Sequence, residues 1–466
     1  MIIIMKSIQD NNLAYNILSP LVKFATRCHY NNFVVHGIEN LPTDGAYIIA
    51  PCHQQALMEP LAVLRVAPKP PVFLARADLF SKPTLRSILT FLKIMPVYRI
   101  RDGQDKLGRN KEIFDRSREV LLDGYPLCLM AEGRHNNRHH LLNMGKGLFR
   151  IAGETQLALG DHPLYIVPTG IDFDEYEQPY SNLVVNIGRP IAVKPFMDTY
   201  RNNEPLALNR MRDALFEALQ PLMHDIRNDE HYDGIMTLCN ILNSDLRHRE
   251  GLRDTAWNRF LVRQRIAQQM DSLAADSDEF AAWMTLSKDF HDRCANLHLG
   301  EKTFAEHWSL IATVLSLLAV SLVITVVLTV PLIRWTLLFF LLCYPIAVLP
   351  THLIVKRKVA DPQFRSSFNF GVRFFFSIIY IIVIAIVVAS TKGMWMDRLA
   401  DLGAWWGLAM VPMVFVCARV TAPVTVFLRR TLNNCYYWLL RFFRRRTMRK
   451  IDKIHKTLKD YFRKSS

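Results

Sequence analysis

The sequence predicts an α/β domain followed by a helical extension and an all-α transmembrane bundle, and three observations predict it. Short apolar runs alternate with helical patterns from about Phe33 to Phe196. Long, charged helical patterns with little strand character follow from Pro205 to Leu297. Uncharged apolar stretches then fill much of the chain between Ser309 and Ala418.

The elements follow in order. Residues 8–27 read as an amphipathic helix with Leu13, Ile17, Leu18, Leu21 and Phe24 on one side. Such a helix either lies on a bilayer or packs on a core. The apolar run before it is only a few residues long, too short for a signal peptide. Candidate strands are 33–35, 46–50, 71–75, 94–100, 126–131, 164–171 and 182–188, with helices between them at 109–123 and 147–158 among others. Alternating strands and helices indicate an α/β domain.

The apolar stretches run Ser309–Val330, Trp335–Val355, Phe374–Ser390 and Leu402–Ala418, the last interrupted by Pro412 and followed by Arg419. About 20 apolar residues cross the hydrocarbon core of a bilayer. Lys356, Arg357, Lys358, Arg365 and Arg373 follow the second stretch, whereas the neighbouring loops hold only Arg334, then Lys392 and Arg398. By Lys/Arg asymmetry the front of the chain and its end both lie in the cytoplasm. The expected organisation is an N-terminal amphipathic helix (1–32), an α/β domain (33–200), a helical extension (201–305), a transmembrane region of about four helices (306–428) and a basic cytoplasmic tail (429–466). The expected localisation is therefore a multi-pass integral membrane protein.

Composition narrows the classes. Half of the 466 residues are hydrophobic and 21% are charged, which excludes intrinsic disorder, collagen-like sequence and a small disulfide scaffold. Eight scattered cysteines without a Cys-x-x-Cys pair read as thiols in a reducing compartment. Of the net charge of +15, much sits from Arg429 onward, where thirteen Lys and Arg face only Asp452 and Asp460. After apolar spans, such a tail suits anionic lipid head groups rather than nucleic acid.

Four motifs carry candidate chemistry. In AYIIAPCHQQALMEPLAV, His53 follows a strand and Glu59 comes six positions later, just before Pro60. The proline marks a helix start, so His53 to Glu59 is a loop in which the carboxylate can fold back on the imidazole. A histidine so oriented is a general base, although a single His/Glu spacing also arises by chance. In PVYRIRDG, Arg99 and Arg101 close a strand with donors suited to phosphate, or are plain solvated charges. MAEGRH puts Glu132, Gly133 and Arg134 after a buried strand, and Gly145-Lys146-Gly147 precedes a helix whose N-terminus favours an anion. His135, His139 and His140 have no carboxylate or cysteine at a convincing spacing, so no metal is expected. YIVPTG, with Pro168, is the last motif.

Taken in order, these motifs resemble the PlsC-like glycerophospholipid acyltransferase superfamily, which includes the glycerol-3-phosphate and 1-acylglycerol-3-phosphate (lysophosphatidate) acyltransferases. The resemblance covers residues 33–195, about a third of the chain. His53 with Glu59 matches the opening His-acid motif, Arg99 the phosphate-binding arginine, Glu132-Gly133 the Phe-Pro-Glu-Gly motif, and Pro168 the fourth. Three departures stand out. Glu59 replaces the usual Asp, Cys52 the usual Asn, and Met130-Ala131 the usual Phe-Pro.

The resemblance implies a mixed sheet flanked by helices and a membrane-bound acyltransferase. His53 and Glu59 are then catalytic, with no metal and no cofactor beyond an acyl-CoA or acyl carrier protein thioester as co-substrate. Arg99, with Lys146 and Arg101, would hold the acceptor phosphate. Glu132 would meet an acceptor hydroxyl or an arginine, and Gly133, Arg134 and Pro168 would complete the substrate site. The expected partners are the bilayer, the acyl donor and a glycerol-phosphate or lysophospholipid acceptor, with no nucleic acid. Lysophosphatidate is the expected acceptor, glycerol-3-phosphate the alternative. A non-catalytic lipid-binding protein with a degenerate acyltransferase domain is the second alternative.

Overall fold

The computed structural model describes residues 7–465 except 11, 99–107, 109, 135–137, 177, 179, 274–276, 330–353 and 376–404. The chain divides into two compact units. The first holds residues up to Arg27, Asn32–Tyr176 and Asn182–Asp225; the second holds Cys28–Asn31, Glu177–Ser181 and Ile226 onward.

Among the described residues, the first unit is built on one sheet of eight strands: β1 (Asn32–His36), β2 (Ala46–Pro51), β3 (Val72–Arg76), β4 (Ile94–Val97), β5 (Leu127–Cys128), β6 (Leu164–Phe173), β7 (Asn182–Ile187) and β8 (Ile191–Ala192). Their spatial order is β1-β7-β6-β2-β5-β3-β4, with β8 also on β6. Strands β6, β2, β5, β3 and β4 run parallel. Strands β7 and β8 pair antiparallel with β6, so the sheet is mixed, as expected. Parallel neighbours need crossovers, which α2 (Met58–Val66), α3 (Pro83–Phe91), α4 (Asn110–Leu122) and α5 (Gly147–Leu159) supply.

Burial explains the strand sequences. AYIIAP in β2 and LYIVPTGIDF in β6 are buried almost throughout, as central strands covered on both faces must be. Pro168 in β6 has no N–H to donate. It falls between the stretches paired with β8 and with β7, and its carbonyl accepts the N–H of Gly188 at 2.9 Å.

Helix α1 (Leu13–His29) is capped by Asn12, whose Oδ1 accepts the N–H groups of Ala14 and Tyr15. It turns Tyr15, Ser19 and Thr26 inward, and Tyr15 stands edge-on to Phe91 of α3. Of the expected apolar face, Leu13, Ile17 and Leu21 are exposed, and Leu18 and Phe24 are half-buried. Helices α6 (Met197–Asn202) and α7 (Glu204–Leu219) also belong to this unit. Ala207, Leu208, Met211, Leu215 and Leu219 bury α7 on β6 and α5, so the helical unit begins at Ile226 rather than at the expected 201.

The second unit comprises α8 (Tyr232–Arg249), α9 (Ala256–Ser272), α10 (Asp278–Asn296), α11 (Glu301–Ala305), α12 (Leu310–Thr329), α13 (Trp405–Phe443) and α14 (Arg445–Ser465), with further helical residues at 354–358 and 362–375. Its core joins Ile235, Leu238, Ile266, Trp283 and Phe290 to Tyr437, Ile451, Leu458 and Phe462 from the C-terminal helices. The basic tail is therefore two folded helical segments, the second packing its apolar face on α10.

The first expected span is helix α12, uncharged over its 20 residues. Its side chains are described over residues 310–326. Among the described residues no helix is long and apolar enough to cross a membrane. The second and third expected spans lie almost wholly outside the described residues. The fourth falls within α13 from Trp405 on, a 39-residue helix that continues through Pro412 and Arg419, and its residues 402–404 lie outside the described residues. Among the described residues no cysteine forms a disulfide.

Candidate active site

Strand β2 ends at Pro51 and α2 begins at Met58, so His53 lies in the joining loop, as its spacing to Pro60 predicts. Glu59 is the second residue of α2 and is fully buried. Its Oε2 lies 3.5 Å from His53 Nδ1. Its Oε1 accepts the N–H of Gln54 at 2.7 Å and that of Gln55. The carboxylate sits in the first turn of α2, where the helix dipole favours negative charge. Ala56 adopts φ +36°, a left-handed conformation unusual without glycine. That bend lets residues six apart meet.

Glu132 holds the loop from the other side. Its Oε1 accepts the N–H of His53 at 2.8 Å, and its Oε2 accepts the N–H of Leu142 at 3.0 Å. These two backbone donors, which the sequence does not foretell, make Glu132 a clamp on the loop. Burial pushes its carboxyl up to about 8 against the pull of both N–H groups. Gly133, with φ +61°, closes the following turn onto the carbonyl of Met130. The N–H of Gly145 reaches the carbonyl of Ala131 at 2.8 Å, so the GKG segment lies against MAEG. Lys146 then stands exposed at the N-cap of α5, and Arg134 is exposed too.

Cys52 ties β2 to β6. Its N–H reaches Thr169 O, and its Sγ accepts the N–H of Ile171 at 3.2 Å. Burial, then Glu132, pushes this thiol well above its ordinary range, which removes it as a nucleophile. Pro168 is buried opposite Ala50, three residues before His53. Asn110 clamps Tyr98 through both its backbone N–H and its carbonyl. Arg99 and Arg101, which follow, lie outside the described residues.

Residues 32–172 match the acyltransferase family model. They form an acyltransferase domain. The crystal structure of the 1-acyl-sn-glycerophosphate (LPA) acyltransferase PlsC from Thermotoga maritima is similar at 19% identity and a TM-score of 0.30, covering 43% of this chain and 79% of that one. No curated protein matches.

The acyltransferase domain thus brings together His53, Glu59, Glu132 and the Gly145–Lys146 turn. Sequence reasoning missed its supports. Tyr176 donates to Gln54 Oε1 at 2.8 Å, and Asp225 accepts the N–H of Leu141 at 2.9 Å. These partners are 84 to 122 residues apart, and no local spacing signals them.

Proposed function

We propose that the chain is a membrane-bound acyltransferase that moves an acyl group from a thioester to the free hydroxyl of lysophosphatidate, giving phosphatidate. The carrying observation is the buried Glu59 carboxylate 3.5 Å from His53 Nδ1. With Nδ1 facing Glu59, Nε2 takes the hydroxyl proton as the oxygen attacks the thioester carbonyl. The C–O bond forms, the C–S bond breaks, and the proton passes to the departing thiolate. General-base help of this kind supplies about 10²–10⁴ in rate. Arg99, Arg101 and Lys146 hold the acceptor phosphate as point and fork donors.

Three features support a lipid-borne acceptor at the cytoplasmic face. Leu13, Ile17 and Leu21 of α1 and Leu85 and Ile88 of α3 are exposed, and the two helices touch through Tyr15 and Phe91. Arg444, Arg445, Arg446, Arg449 and Lys450 are exposed where α13 meets α14, suited to anionic head groups. The two ends of the apolar region also meet. Asn434 Oδ1 accepts the N–H of Trp308, and Trp438 Nε1 donates to Trp308 O. This suits a region whose two ends lie at one face of the bilayer, the arrangement the Lys/Arg asymmetry of the sequence implies.

The test is acyl transfer by the full chain in detergent with labelled acyl-CoA or acyl carrier protein, offered lysophosphatidate and glycerol-3-phosphate side by side. Phosphatidate formation that His53→Ala abolishes is expected. Faster acylation of glycerol-3-phosphate would reassign the acceptor, and no product from either would leave a lipid-binding protein.

A further inference from the structure

The same unit holds a second cluster that the proposed transfer does not use. His139 (2% exposed), Asp172 (2%) and His224 (0%) are buried together, and each offers one ligand atom within 4.8 Å of the other two. His139 Nδ1 lies 3.3 Å from Asp172 Oδ1, and the rings of His139 and His224 are 4.5 Å apart. We propose that His139, Asp172 and His224 bind one divalent transition-metal ion, zinc by the chemistry of the donor set, next to the active-site loop.

The fold brings these residues together for a visible reason. Asp172 lies in β6 two residues after Gly170, where an added Cβ would stand 2.0 Å from the carbonyl oxygen of Leu222. Only glycine lets the 220–225 segment press onto β6 so closely, and that segment carries His224 to Asp172. His139 arrives on the segment after the MAEGRH motif, which explains why spacing within His135, His139 and His140 predicts no metal. The carboxylate and second imidazole come from 33 and 85 residues further along. His140 faces Asp225 instead, at 3.8 Å, and His135 lies outside the described residues.

Two imidazoles and one carboxylate suit zinc, and three protein ligands leave a fourth position for water. Tetrahedral zinc bonds of about 2.0–2.2 Å put ligand atoms roughly 3.4 Å apart, so the cluster closes on an ion by side-chain rotation. The rings of Tyr176 and His139 lie 4.7 Å apart, and the Tyr176 hydroxyl donates to Gln54 beside the catalytic histidine. Three residues beyond His139, Leu142 supplies the N–H that Glu132 accepts. A bound ion staples three distant segments and steadies the clamp on His53, so these ligands are positioning residues.

Metal content decides this. The full chain is purified in detergent without a polyhistidine tag, stripped with chelator, and titrated with Zn²⁺ and Co²⁺. The expected result is about one equivalent bound, the visible bands of low-symmetry Co²⁺, and a raised Tm on adding Zn²⁺. Asp172→Asn and His224→Ala should weaken Co²⁺ binding by more than about 100-fold, since even partners behind the ligands change affinity by 10–100-fold. His162→Ala, at an exposed histidine, should bind as wild type does. Wild type that takes up no metal, with no cobalt bands and no thermal shift, overturns the site. So does His224→Ala binding with wild-type affinity. Acyl transfer in the same samples reads the proposed function separately.

Discussion

At the scale of single residues, Glu59 has divided duties. One oxygen takes the N–H groups of Gln54 and Gln55, and the other faces His53. Shortening the side chain cannot satisfy both. Glu59→Asp should therefore lower kcat by about 100-fold with little change in KM, since a displacement near 1 Å costs that much. Steady-state kinetics would reveal an unchanged kcat if the extra methylene were dispensable. Glu132 makes a prediction in pH. Its carboxyl is raised to about 8 in the folded chain, above its ordinary 4.5, so folding favours the protonated form. The stability this contributes is complete below about pH 4.5 and is lost as pH rises through about 8. Tm measured from pH 5 to 9 should fall more steeply for wild type than for Glu132→Gln. Parallel profiles would contradict a raised carboxyl.

At the scale of elements, the strands were readable because central strands are nearly continuous apolar runs and the crossovers carry helical periodicity. The loop after β2 that carries His53 was readable from Pro60, whereas its meeting with Glu59 was not, because the same spacing also arises by chance. What stayed hidden was long-range: Glu132 taking backbone donors, Tyr176 on Gln54, and the 220–225 segment on β6. Gly170 looks like an ordinary strand glycine until Leu222 is seen against it. Gly170→Ala should destabilise the first unit by about 1–3 kcal/mol in denaturant titrations, the usual cost of overpacking. A neutral result would mean that the segment can lift away. The apolar periodicity of α1 was legible, but not its direction, because an interfacial and a core-facing stripe have the same spacing. Ile17→Glu should reduce binding of the full chain to anionic vesicles while leaving Tm nearly unchanged. A large fall in Tm would show that the face packs on protein.

At the scale of the whole molecule, charge counting alone reads residues 429–466 as a tail. Met448, Ile451, Leu458 and Phe462 recur at helical spacing and are buried in the second unit, while Lys459 pairs with Asp245 at 3.3 Å. Trp283 stands edge-on to Phe462, so Phe462→Ala should cost about 3–5 kcal/mol in that unit. Binding of labelled acyl donor, read by the first unit, should survive it. The catalytic proposal itself rests on one imidazole, and the most direct measurement is the single-turnover rate of acyl transfer to lysophosphatidate by wild type and His53→Ala. A loss of at least about 10²–10⁴ with acceptor still bound is expected of a missing general base. Transfer at the same rate by both proteins would take the proton-abstraction role away from His53.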